Sequence, residues 1–511
     1  MALPPVTGIL TDVQQFVSGV LALFSHEKLR PRTLLPPPPL IGLPAELQSL
    51  IFHHLPLATL LSLSLTSKAT HAAVVPHIYA DISMCWKDYR PPRLDQTARS
   101  LLENPRLATH TRRLALKSKF FRSSLETVNG TPLVSIKALP MGKAGAFIKA
   151  SGLPQARQEE WSQALALGSV DALVTLLIAL VPNLTSLYLG QTFTVDNGIL
   201  GHFLSHHLCQ CKLPTKRALR RLNHVTFVPR PFSTERHSRN NSSAVLPLFY
   251  LPVIQHLKIS IDNPLAEPIW PGDPLDAAGT LSTLTVHRVR ERRLGSILRI
   301  LPNLTELEWH WFYQPDLDQP ISSAIIDLDV MATALAHIAS TVVDLRISAS
   351  INVGYNDYYD PDMFIVGSLK PMAKFGRVRR LQIPWVFLMG FSPSENKKLL
   401  DCVPRYCETL TLTLGCDTSD SWTWDTGEIE GRDGVTLYEA QLALTAAVIL
   451  ALEELDRSAH PNLQRVVLEW CPGESCTEQI QALRRIYDDV GVEVCLVPDK
   501  GEPYFWNHEE A

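Results

Sequence analysis

The feature that most constrains this chain is an apolar triplet, Leu-x-x-Leu-x-Leu, that keeps returning along most of its length. The clearest copies are Leu184-Leu187-Leu189, Ile254-Leu257-Ile259, Leu281-Leu284-Val286 and Leu304-Leu307-Trp309. Val342-Leu345-Ile347, Val378-Leu381-Ile383, Cys407-Leu410-Leu412 and Leu463-Val466-Leu468 continue the series. Thr111-Leu114-Leu116 and Leu219-Leu222-His224 are looser copies. The closing alternation of each triplet turns one face of a short strand inward. Pro-Asn-Leu or a similar turn stands ahead of several copies, as at Pro182, Pro302 and Pro461.

Helical stretches precede many of these strands: Val170 to Leu180, Leu294 to Leu301, Ile325 to Ala339 and Leu437 to Leu455. A last helix over Glu478 to Asp488 and a strand over Val492 to Val497 add one more unit. Helix, turn and strand in repetition predict an α/β solenoid with a parallel sheet along one side. The steps from Leu184 to Cys407 run from 23 to 38 residues. Ordinary leucine-rich repeats step by about 20–29, so the array is an irregular leucine-rich-repeat-like solenoid. A compact domain with one mixed sheet is the alternative, which the number of copies disfavours. An extended array also accommodates 511 residues, which exceed what one compact core holds.

Ahead of the array the pattern changes. Residues 7–29 predict an amphipathic helix, with Ile9, Val13, Phe16, Val17, Val20 and Phe24 at helical spacing. Pro36 to Pro39 then make a stiff extended spacer. Next comes Leu43-Pro-Ala-Glu-Leu-Gln-Ser-Leu-Ile-Phe-His-His-Leu55. Pro44 suits a first helical turn, where its missing N–H is not needed. Leu47, Leu50, Ile51 and Leu55 form one apolar face. Pro56 starts a second helix with Leu57, Leu60, Leu61 and Leu63. Thr66 or Ser67 caps a third, expected to stop at Pro76. Three helices in so short a span cannot bury all these leucines among themselves, so a partner or the rest of the chain must cover the remainder.

The order Leu-Pro-x-Glu-Leu-x-x-x-Ile-Phe-x-x-Leu-Pro, then Leu-Leu-Ser-Leu, then a Ser-Lys helix ending in Pro-x-x-Tyr resembles an F-box over residues 40–84. Ser67 to His71 stands where many members carry Cys-x-x-Trp. Leu101-Leu-Glu-Asn-Pro-Arg-Leu107, continuing into Thr111 to Leu116, is similar to the segment just after the F-box in many fungal F-box proteins with such repeats. The resemblance implies a non-catalytic substrate receptor that docks on a Skp-type adaptor and, through it, on a cullin–RING ubiquitin ligase. It implies that Leu43, Pro44, Leu47, Ile51, Phe52, Leu55, Leu60 and Leu61 contact that adaptor or support the docking face. The expected organisation is an N-terminal helix and arm over 1–35, the F-box over 36–85 and the solenoid over 86–511. The alternative is an interaction scaffold outside any ligase, whose F-box-like helices pack internally.

Other chemistry is sparse. No Gly-rich phosphate loop, zinc-protease helix or nucleophile elbow is present. Ser, His and Asp abound, but nothing in their spacing along the chain selects a triad. His202, His206, His207, Cys209 and Cys211 have zinc-ligand chemistry without the paired Cys-x-x-Cys of a structural site. They are expected to be a solvated helix end with buried thiols, and no metal or cofactor is expected. A formal charge of -4 makes no electrostatic case for nucleic acid or membrane as a partner. Lys216-Arg217, Arg220-Arg221 and the run Arg288 to Arg293 are expected to be solvated, with an import signal or acidic-partner patch as the alternative. Nine scattered cysteines and no basic leader point to an intracellular protein, cytoplasmic or nuclear. The glycosylation-like Asn183-Leu-Thr and Asn303-Leu-Thr then carry no meaning as such. The apolar run Leu442 to Leu452 is short of the roughly 20 residues of a membrane span.

Aromatic and acidic residues gather just past several strands. Trp309, Trp311, Tyr358, Trp385, Trp422, Trp424 and Trp470 are expected to form an aromatic rim with acidic neighbours, where a protein substrate with a basic segment would bind.

Overall fold

The computed structural model describes residues 40–469 and 491–497, apart from 88–89, 119–126, 129–130, 196, 211–218, 229–240, 262–268, 274–278, 314–322, 352–362, 391–397, 414–445, 447 and 456–457. The amphipathic helix expected at 7–29, the proline spacer and the helix expected at Glu478 to Asp488 lie outside the described residues.

Three helices come first: α1 (Ala45–His53), α2 (Leu57–Ser64) and α3 (Lys68–Ile78). Pro44 and Pro56 stand immediately before the first two. Ser67 caps the third, its Oγ accepting from the Thr70 N–H at 3.1 Å. Pro76 does not stop α3, which continues to Ile78. Only one intrahelical donor is lost there, and the last turn packs Ile78 against the helical core.

Twelve parallel strands follow in one sheet: β1 (Asp81–Trp86), β2 (Arg113–Ser118), β3 (Ser186–Leu189), β4 (His224–Phe227), β5 (His256–Ser260), β6 (Thr283–His287), β7 (Glu306–Tyr313), β8 (Asp344–Ile351), β9 (Arg380–Pro384), β10 (Thr409–Thr413), β11 (Arg465–Glu469) and β12 (Glu493–Val497). Their order in the sheet is their order in the chain. This is the solenoid-like α/β arrangement that a helix–turn–strand repeat dictates, because each unit can bury its apolar face only against its neighbours. Leu114, Leu187, Val225, Leu257, Leu284, Leu307, Leu345, Leu381 and Leu410 fall on one register line and are all buried.

Two details differ from the triplet pattern. In β4 the anchors are Leu222, Val225 and Phe227, three residues on from Leu219-Leu222-His224: Leu187 pairs with Val225, and His224 is exposed. The first strand carries a loose triplet, Tyr79-Ile82-Met84, that lies outside the series named from the sequence. It starts at Asp81, inside the segment assigned to the helical motif, and pairs Ile82 with Leu114.

The turns explain the Pro-Asn-Leu motif. Asn183 Nδ2 donates to the Thr109 carbonyl at 2.8 Å, and Asn303 Nδ2 to that of Gly279 at 2.6 Å. Each asparagine reaches back to the preceding turn and satisfies a carbonyl that the sheet leaves unpaired. Buried Asp171, on the helix Val170–Leu180, accepts from the N–H groups of Ile199 and Leu200 at 2.8 and 3.2 Å. It thereby caps the helix Gly198–Leu204 of the next unit.

Candidate functional site

The apolar residues of the three helices divide into two sets. Phe52, Leu60 and Val74 form a small core, with Leu40, Leu55, Leu63, Ala73 and Ile78 packed around it. The Phe52 ring meets His77 edge-on at 5.3 Å between centroids. Burial pushes the His77 pKa down, and the nearby charges of His53 and His110 push it further the same way. Ile51 is buried as well. The second set faces out. Leu47 is 43% exposed, Leu50 56%, Leu57 53% and Leu61 46%, and Leu65 is more exposed still. Leu47 and Leu50 share a face of α1; Leu57 and Leu61 on α2, and Leu65 just past its end, recur every fourth residue.

Of the eight residues named from the resemblance, Pro44, Leu47 and Leu61 are exposed and Leu43 and Leu55 half-buried. Ile51, Phe52 and Leu60 lie inside, where they can only support the outer set. Leu50, Leu57 and Leu65 extend that outer set and are absent from the eight. Gln48 is a second omission. Its Nε2 donates to the Ile41 carbonyl at 3.0 Å and the Leu43 carbonyl at 2.7 Å. It therefore holds the single turn Leu40–Gly42 against α1.

The helical unit is tied directly to the sheet. The Ala80 carbonyl, one residue before β1, accepts from the N–H groups of Arg112 and Arg113 at 2.8 and 3.0 Å. Asp81 and Arg113 form an exposed ion pair at 3.6 Å, a contribution of about 0–1 kcal/mol.

The aromatic rim is not what the sheet presents at its described positions. Trp309 and Trp311 are fully buried, and Trp385 is 1% exposed. Trp309 Nε1 donates to the Val289 carbonyl at 2.7 Å. Trp311 Nε1 donates to Glu291 Oε2 at 2.9 Å. Parity is the reason for two of them: Trp309 and Trp311 continue the inward series of Leu307 along β7, while Trp385 opens the buried short helix Trp385–Met389 just past β9. Tyr358, Trp422, Trp424 and Trp470 lie outside the described residues. The basic run is also partly internal. Arg290 is buried and forms a two-pronged pair with Glu291 at 3.0 and 3.1 Å. It also donates to the carbonyls of Ser323 and Ile325 and lies over the Trp311 ring at 4.4 Å. A buried guanidinium with this many acceptors is held by its hydrogen bonds and leaves nothing for an outside acid.

Among the described residues no group of three or more His, Cys, Asp or Glu is placed to hold a metal ion, the stretch His202 to Cys209 included. No described helix is long and apolar enough to cross a membrane.

A short helical unit with an exposed apolar face is joined to a long parallel α/β array. Residues 40–76 match the F-box domain family, so this chain carries an F-box domain. F-box domains bind Skp-type adaptors in SCF-type ubiquitin ligases and are generally non-catalytic. No curated protein matches the chain.

Proposed function

We propose that this chain is the substrate-recognition subunit of an SCF-type ubiquitin ligase. Leu43, Pro44, Leu47, Leu50, Leu57 and Leu61 meet the Skp-type adaptor, while Ile51, Phe52, Leu55 and Leu60 set the geometry of that face. The solenoid-like body holds a protein target. The observation that carries this is the row of exposed leucines on the very segment that matches the F-box family. Lone exposed leucines are common, but a contiguous row of them marks an interaction surface.

The mechanism is positioning. The chain ties the target to the ligase, so that capture of a target lysine becomes an intramolecular event at raised effective concentration. Other subunits carry the ubiquitin chemistry. The link at Ala80 supports transmission of a fixed direction from docking face to sheet.

The test is capture of the Skp-type adaptor by the full chain and by a Leu47→Glu/Leu61→Glu variant. Both side chains are already half in water, so the variant keeps its fold and loses the adaptor. Equal capture by a folded variant would leave the scaffold role outside any ligase as the better account.

A further inference from the structure

The outward face of the sheet brings a serine from one strand beside a glutamate and a histidine of its neighbour. His310 Nε2 is 2.9 Å from Glu308 Oε1, and the Ser348 hydroxyl is hydrogen-bonded to His310 Nδ1. Glu308 and His310 are alternate residues of β7, and Ser348 pairs with His310 across the ladder from β8. The second carboxylate oxygen, Oε2, accepts from Thr285 Oγ1 at 3.2 Å. The buried ring of His287 stacks on His310, centroids 4.0 Å apart and planes within 10°.

The hydrogen bonds select a tautomer. A carboxylate only accepts, so His310 Nε2 carries the hydrogen and donates to Glu308. Nδ1 is then the acceptor for the Ser348 hydroxyl. This is the arrangement in which an imidazole can take a serine proton while a carboxylate orients the ring and stabilises the imidazolium. Burial pushes the Glu308 carboxyl up, but its hydrogen bond to His310 and the charges of His310, Lys258 and Arg346 outweigh this and bring it down to about 2. The carboxylate is therefore ionised at neutral pH. Ser348 and His310 are both partly exposed, so the pair can be reached from the outward face.

A further observation supports a functional site over a packing network. Arg288, the first residue past β6, has φ 63°, one of two described non-glycine residues in the left-handed region. Its N–H donates to the His310 carbonyl at 3.1 Å. Backbone strain of this kind gathers at functional sites.

We propose that Ser348 is an activated nucleophile that accepts acyl groups from carboxylic esters. Ser348 Oγ attacks the ester carbonyl carbon, and its proton passes to His310 Nδ1. The new Oγ–acyl bond forms, the ester C–O bond breaks, and the alcohol leaves with the proton from His310. Water, deprotonated by His310, then releases the acid and restores the serine. Glu308 is a positioning residue, acting through His310. This chemistry is independent of adaptor docking.

The test uses the full chain and a fluorophosphonate probe, with the adduct mapped by peptide mass spectrometry. Fluoride leaves as the Oγ–phosphorus bond forms, so any label records the nucleophile. The expected result is label on Ser348, absent from Ser348→Ala. His310→Ala should slow it by about 100-fold, the usual scale of general-base assistance. Glu308→Gln should slow it by about 10-fold or more, with Glu308→Asp recovering part of the rate, as a charge effect requires and a packing effect does not. Wild-type chain unlabelled at Ser348, or labelled at a rate that His310→Ala leaves unchanged, overturns the proposal. Should His310→Ala not fold, the two Glu308 variants decide it: equal rates in both and in wild type overturn it.

Discussion

Replacing Leu47 and Leu61 together by alanine separates docking from folding, because the structure sets different magnitudes for the two. The side chains are 43% and 46% exposed. Full burial of a leucine contributes about 1.5–3 kcal/mol relative to exposure. Covering the remaining half therefore contributes about 1 kcal/mol per residue, or about 2 kcal/mol for the pair. At about 1.4 kcal/mol per decade, that is a loss of about 30-fold in affinity for the Skp-type adaptor. Ordering costs at interfaces make this an upper figure. Stability should move by no more than about 1 kcal/mol, since neither side chain belongs to the small core of Phe52, Leu60 and Val74. The assay is titration calorimetry of the full chain against the adaptor, with a denaturant melt of each protein alongside. An affinity unchanged within threefold refutes the docking face. An affinity loss that follows an equal loss of stability refutes its separation from the core.

The other expectations concern the interior and acid stability. Phe52→Ala should cost about 3–5 kcal/mol of stability in the helical unit, as truncation of a buried phenylalanine does, read by proteolysis of that segment. Trp309→Ala should destabilise the body by a similar amount, seen as a lowered melting temperature, with target capture by the folded fraction unchanged. Trp422→Ala/Trp424→Ala tests what is left of the aromatic rim: unimpaired target capture by a folded variant removes those loops from the recognition surface. Glu308 has its folded pKa lowered from 4.5 to about 2. Its contribution is therefore present above its unfolded pKa and is lost as pH falls from about 4.5 towards about 2. Glu308→Gln should flatten that part of the acid unfolding curve; an unchanged acid limb would show that the carboxylate is not held in this way.

The apolar triplets were legible because each encodes parity and spacing together, and both must be satisfied for a strand to pack in an array. Where a turn brought an extra leucine, as at Leu219, spacing alone placed the anchors three residues early, and only the pairing of Leu187 with Val225 resolves it. The tryptophans show the opposite failure. Trp309 closes its own triplet and so had to point inward; composition suggested a rim where parity already required a core. The first strand carried a weak signal of this kind, Tyr79-Ile82-Met84, hidden because its anchor is an aromatic residue at the end of the helical motif. The docking leucines were readable from a simple mismatch, too many leucines for three short helices, but which of them turn inward depended on how α1 and α2 cross α3. The Ser348, His310 and Glu308 constellation lies between these cases. Distance along the chain hides it, as Ser348 and His310 are 38 residues apart. Position within the unit reveals it: His310 stands six residues past Leu304, Ser348 six past Val342 and His287 six past Leu281. In a parallel array, equal offsets from successive anchors become neighbours on one face. Aligning the units on their anchors, and not searching the chain for motifs, is therefore what exposes chemistry in a solenoid-like sheet, and the same alignment identifies which outward residues to exchange in testing it.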